Sequence, residues 1–97
     1  MSEAMAGKTE AYFVYILLCM DGSYYTGYSH HPEKRFIQHK KGQGARYTRM
    51  YAPTKIVYLQ KLQTRSAAMK REREIKTLNH EEKGILIATS YLEHRKS

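Results

Sequence analysis

The chain contains no tryptophan, one cysteine, two prolines and no apolar run longer than Tyr12 to Met20. A lone Cys19 excludes an internal disulfide. Set in an apolar run away from other metal-ligating residue types, it also argues against a thiolate metal site. A reducing, cytoplasmic setting is therefore expected. The Tyr12 to Met20 run is far shorter than the roughly 20 residues that cross a bilayer, so no membrane helix is expected. The first ten residues lack the apolar middle of a secretory signal. Acidic residues are also scarce: 9 Asp and Glu face 17 Lys and Arg, a formal net charge of +8 with the five His neutral. That balance favours a polyanionic partner, nucleic acid or an anionic membrane surface, without choosing between them.

What is abundant is tyrosine, nine of the eleven aromatic residues. At 97 residues the chain suits one domain with one core. Its expected organisation is a loose tail over 1–10, a domain over 11–91 and a charged tail over 92–97. Tyr12 to Cys19 is apolar on both alternating faces and reads as a buried strand. Asp21-Gly22 signals a tight turn, and Ser23 to Tyr28 reads as a second strand closing a hairpin. Pro32 suits the first turn of a helix that continues through Lys41 to a stop at Gly42. The stretch from Gly42 to Pro53, with Arg46, Tyr47, Thr48, Arg49 and Tyr51, reads as a basic loop. Lys55 to Leu62 alternates as a third strand, and Thr64 or Ser66 can cap a helix from Ala67 to Leu78 that Asn79 would end. His80 to Thr89 reads either as a short third helix or as an extended segment.

Glu72 and Glu74 differ in helical phase. At about 100° per residue, Ala68, Ile75 and Met69 all fall within about 60° of Glu72, whereas Glu74 points to the opposite, solvent-facing side. A carboxylate on a packing face needs compensation, from an Arg, a metal ion or a rim open to water, and an ion pair alone would suffice. Arg35 and His39, four residues apart, share a stripe about 100° round from Phe36 and could grip phosphate or meet Glu72.

The hairpin has two candidate registers. A two-residue loop would put Tyr15 and Tyr25 on opposite faces of the sheet. A three-residue loop, Met20-Asp21-Gly22 with Gly22 left-handed, puts them on one face, with Tyr15 opposite Gly27 and Tyr25 opposite Leu17. Gly27 then leaves room for the Tyr15 ring.

Phe13-Val14-Tyr15, Tyr25-Thr26-Gly27, Arg35, His39 and Ala68-x-x-x-Glu72-x-x-Ile75-Lys76, in this order and spacing, resemble the GIY-YIG nuclease superfamily. The resemblance covers nearly the whole ordered chain. It is nearest to small stand-alone bacterial members, which are related to the amino-terminal domain of the repair nuclease UvrC. Phe13 stands where the first motif has Gly, and Tyr28 where UvrC-like members often carry Lys. The resemblance implies an α+β fold in ββαβα order, a small three-stranded antiparallel sheet flanked by helices. It implies metal-dependent phosphodiester hydrolysis of DNA, of the kind used in repair or recombination, with Tyr15, Tyr25, Arg35, His39 and Glu72 as catalytic residues. Glu72 would be the ligand of one weakly held Mg²⁺ or Mn²⁺. Tyr15 or Tyr25 would orient or deprotonate water, Arg35 offsetting phosphate charge and, with the metal, favouring phenolate. DNA is then the expected partner, with the protein a monomer or weak oligomer. The alternative is an inactive nucleic-acid-binding module of the same fold.

Overall fold

The computed structural model describes residues 10–96, with side chains through residue 91. The expected tail over 1–10 lies almost wholly outside the described residues. The elements run β1 (Tyr12–Cys19), β2 (Tyr24–Ser29), α1 (Pro32–Lys40), α2 (Arg46–Met50), β3 (Pro53–Leu62), α3 (Arg65–Lys76) and α4 (His80–Lys96). The three strands form one antiparallel sheet in the order β2-β1-β3, so the most apolar strand is central.

The hairpin adopts the three-residue register: Tyr15 pairs with Gly27 and Leu17 with Tyr25. Gly22 supplies the turn with φ +86°, a conformation that other residues rarely take. A Cβ on Gly27 would lie 2.6 Å from the Tyr15 hydroxyl and 2.8 Å from Cζ, so the missing side chain is the space the ring occupies.

Alternation along β1 divides the sheet into two faces. Val14 and Ile16 on one face pack with Tyr58 and with Ala68 and Ile75 of α3, and Leu86 and Ile87 of α4 close over this cluster. Tyr15 and Leu17 point to the other face and are equally buried, with His39 of α1 against Tyr15.

Thr64 is the residue that caps α3, its side-chain oxygen accepting from the Ala67 N–H at 3.0 Å. This helix ends at Lys76, with Thr77 at its C-cap, so Asn79 does not terminate it as expected. Asn79 opens the next helix instead. Its Oδ1 accepts from the Glu82 N–H at 2.8 Å, while its own N–H donates to the Glu82 carboxylate at 2.9 Å. This reciprocal pairing resolves the undecided segment after His80 as helical, and α4 extends to Lys96. Its consecutive Ile85, Leu86 and Ile87 do not share one helical face: the latter two are partly buried, whereas Ile85 is 61% exposed. The basic loop after Gly42 holds a second departure, the single-turn helix α2. No helix among the described residues is long and apolar enough to cross a membrane.

Candidate active site

Four of the five residues singled out in the sequence form one cluster. Tyr15 comes from β1, Tyr25 from β2, and Arg35 and His39 from α1. The Tyr15 oxygen lies 3.2 Å from His39 Nε2. The Tyr25 ring sits 5.0 Å from the imidazole, centroid to centroid. Arg35, whose guanidinium donates to the Gln38 side chain at 2.8 Å, lies near enough to Tyr15 to pull its pKa down. The fifth residue, Glu72 of α3, is near enough for its charge to act on Tyr15 in the opposite sense. Thus the phase assigned to Glu72 holds: its side chain is 20% exposed, whereas Glu74 is half exposed and pairs with Arg71 at 3.2 Å. The ion-pair partner of Glu72 is Lys76, one turn on at 3.4 Å.

His39 is the one fully buried residue of α1, while Phe36 is half-buried and Ile37 exposed. The residue that α1 buries fully is thus a polar ring and not one of its apolar side chains. The ring is clasped from behind by the loop leading into α2. The Ala45 N–H donates to Nδ1 at 3.3 Å, and the Thr48 hydroxyl lies 2.7 Å from the same nitrogen and 2.9 Å from the Ala45 carbonyl. The Thr48 hydroxyl gives its proton to the Ala45 carbonyl, so its short contact with Nδ1 calls for a ring N–H, whereas the Ala45 amide approaches the same nitrogen as a donor; the two contacts ask for opposite tautomers. Gly44 is pressed so close that a Cβ there would collide with Nδ1. Burial, and secondarily the charge of Arg35, lower the His39 pKa, so the ring is neutral near pH 7. Thr48 and Gly44, which hold this ring, lie in the stretch that the sequence presents only as a basic loop. Two glycines soon after His39, followed by a hydroxyl residue, were the available signal.

The two phenols are not equivalent. Tyr15 is 1% exposed, and burial raises its pKa by more than Arg35 lowers it. Arg35 does pull Tyr15 toward phenolate, but burial outweighs it and holds the phenol above the usual tyrosine range. Tyr25 is half-buried and open to the groove, where it stacks on Tyr47 at 6.1 Å and 21°, and Tyr47 adjoins Tyr51 at 5.1 Å. The Tyr47 hydroxyl donates to Ser23, whose own hydroxyl donates to Asp21, tying α2 to the hairpin turn. Exposed cations stand on both sides: Arg46 and Arg49 on α2, Lys70 and Arg73 on α3.

Residues 11–84 match the model of the GIY-YIG catalytic domain. The chain belongs to the GIY-YIG family. A UPF0213 protein of Staphylococcus saprophyticus is 47% identical over 79 residues, covering 81% of this chain and 96% of its own. A UPF0213 protein of Staphylococcus aureus is 46% identical over 78 residues, 80% of this chain and 95% of its own. Two solution NMR structures share the fold at 38% identity. The UPF0213 protein of Bacillus halodurans aligns over 81% of this chain and 84% of its own with a TM-score of 0.53. A protein of E. faecalis aligns over 84% and 88% with a TM-score of 0.59. In this GIY-YIG domain the two name-giving segments face each other across one strand pair, and the tyrosine of the first lies over the glycine of the second. Membership in this catalytic family makes a nuclease-like activity the general expectation for the fold.

Among the described residues, no cluster of three or more His, Cys, Asp or Glu could cage a metal ion. A single carboxylate, Glu72, nonetheless suits Mg²⁺, which keeps most of its waters and takes one or two carboxylates plus substrate phosphate oxygens.

Proposed function

We propose that this GIY-YIG domain hydrolyses phosphodiester bonds of DNA with a divalent cation held by Glu72. The observation carrying the reading is that a guanidinium, two phenols, a neutral imidazole and one carboxylate, drawn from four separate elements, lie close enough to act on one another in a strongly basic domain. An ion pair alone would explain Glu72. It does not explain burying His39 and Tyr15 against each other, since buried polar groups cost stability unless paired and such sites concentrate chemistry.

Each group has a task suited to its surroundings. Arg35 offsets the charge that grows on the nonbridging oxygens of the phosphate. Tyr25, reachable from the groove, meets and orients the attacking water. Tyr15 shares a hydrogen bond with Nε2 of His39, which fixes the position of the phenol oxygen beside Arg35. His39, locked by the loop behind it, holds that phenol in place and remains uncharged. Glu72 would hold Mg²⁺ or Mn²⁺, which would supply Lewis-acid stabilisation of the leaving oxygen. Arg46, Arg49, Lys70 and Arg73 contact backbone phosphates along the walls.

Cleavage of labelled DNA with and without Mg²⁺ tests the reading. The wild type should cut only with the metal, and Glu72→Ala should lose at least about 10²-fold in rate while still binding DNA. Equal binding by both proteins with no cutting by either would instead make the domain an inactive binding module.

A further inference from the structure

Next to the reacting groups, on the β2 side of the sheet, a cleft of about 240 Å³ is lined by Tyr24, Tyr25, Thr26, Tyr47, Lys76 and Lys83. Its walls are fixed: Tyr24 stacks on His80 at 4.5 Å and 18°, and His80 Nε2 is anchored 2.9 Å from the Gly22 carbonyl. Two of its groups are left in states that folding alone does not account for. Thr26 is 3% exposed, yet its Oγ1 has no hydrogen-bond partner among the described residues. Native structures rarely leave a buried hydroxyl unpaired, because its lost hydration goes uncompensated.

Lys83 is the second. It reaches the cleft from α4, is half-buried, and has no ion pair or side-chain hydrogen bond among the described residues. Burial and the neighbouring Lys76 ammonium both push its pKa below the usual lysine range. Lys76, on α3, already shares its charge with Glu72. The cleft therefore brings two ammonium groups from different helices together over a spare hydroxyl, with one carboxylate between them and the reacting centre.

We infer that this cleft is a phosphate subsite, which takes the phosphate group adjoining the scissile one, with Lys76 and Lys83 supplying charge and the Thr26 hydroxyl a directed hydrogen bond. A phosphate offers several acceptor oxygens to satisfy all three donors at once and relieves the repulsion between the lysines. The word "adjoining" rests on the hydrolytic reading above, because Tyr25 lines both the cleft and the groove. The phosphate is either an internal link of the continuing strand or a terminal phosphate.

Binding measured without metal separates this inference from cleavage. Short fluorescent single strands, one with a 5′-phosphate and one with a 5′-hydroxyl, are titrated with protein in EDTA at several salt concentrations. Lys83→Met should make the slope of log K against log salt shallower by about 0.7, the value for one lost phosphate contact on a single strand, and Lys83→Arg should restore it. Thr26→Val should weaken binding with the slope unchanged, because no charge is removed. An equal effect of Lys83→Met on both strands assigns an internal phosphate, and an effect on the phosphorylated strand alone assigns a terminal one. Identical slopes for wild type and Lys83→Met would overturn the subsite. Should Lys83→Met fail to fold, inorganic phosphate titrated into the isotopically labelled wild type decides. Saturable shifts of the Thr26, Lys76 and Lys83 amides support the subsite, and their absence overturns it. Cutting without the slope change removes the subsite alone, whereas the slope change without cutting removes the hydrolytic reading and leaves an anion site.

Discussion

The two faces of the sheet are buried equally well and built from opposite materials. On one, Val14 and Ile16 meet Ala68 and Ile75, and the polar group left wanting a partner among the described residues is the Thr26 hydroxyl opposite Ile16. On the other, Tyr15 meets His39, which meets Thr48 and the backbone of Ala45, so that burial depends on every hydrogen bond being made. Apolar packing tolerates small displacements, whereas a buried polar chain fails when one link goes. The first face therefore holds the fold, and the second spends stability to fix the direction of a phenol.

Three perturbations can break or sharpen this contrast. The largest effect is expected from Ile75→Ala, which should cost about 2–5 kcal/mol in denaturant unfolding while leaving the rate of DNA cleavage per folded molecule unchanged. A drop in that rate would mean the faces are not separable. Gly27→Ala places a methyl where the Tyr15 hydroxyl lies, so the ring must move. It should cost about 1–3 kcal/mol and also depress cleavage, unlike the first variant. The smallest effect is a pH dependence. Because the His39 pKa is lowered by folding, the unfolded chain binds the extra proton. That stability is fully present above the unfolded value of about 6.5 and is lost as pH falls from there through the folded pKa. Unfolding free energy should thus decline on acidification from pH 7 with a slope of at most about 1.4 kcal/mol per pH unit. His39→Gln should remove that component, and equal slopes for both proteins would contradict a neutral buried ring.

The hairpin and Glu72 were legible in the sequence because each obeys a local rule. A ring the size of Tyr15 needs a partner as small as Gly27, and helical phase alone sets Glu72 apart from Glu74. The inward position of His39 was not legible, since Phe36 and Ile37 are the residues that hydrophobicity would bury, and only the later loop makes the imidazole the better choice. The same holds for Thr48, whose hydroxyl matters through a residue nine positions earlier. Asn79 was misread for a different reason. Asn suits either end of a helix, and Glu82, three residues on, was the discriminating signal. It was masked by the three consecutive aliphatic residues that follow, which carry no helical period.

The clasp behind His39 is made mostly of main chain: the Ala45 amide and the bare Cα of Gly44, with the Thr48 side chain, steadied by the Ala45 carbonyl, meeting Nδ1. Such a mount is indifferent to what the rest of the loop displays. If Arg46 and Arg49 contact nucleic acid as proposed, they can be exchanged without the imidazole losing its aim. Selectivity and alignment can drift apart in this domain because they are written in different parts of the same dozen residues.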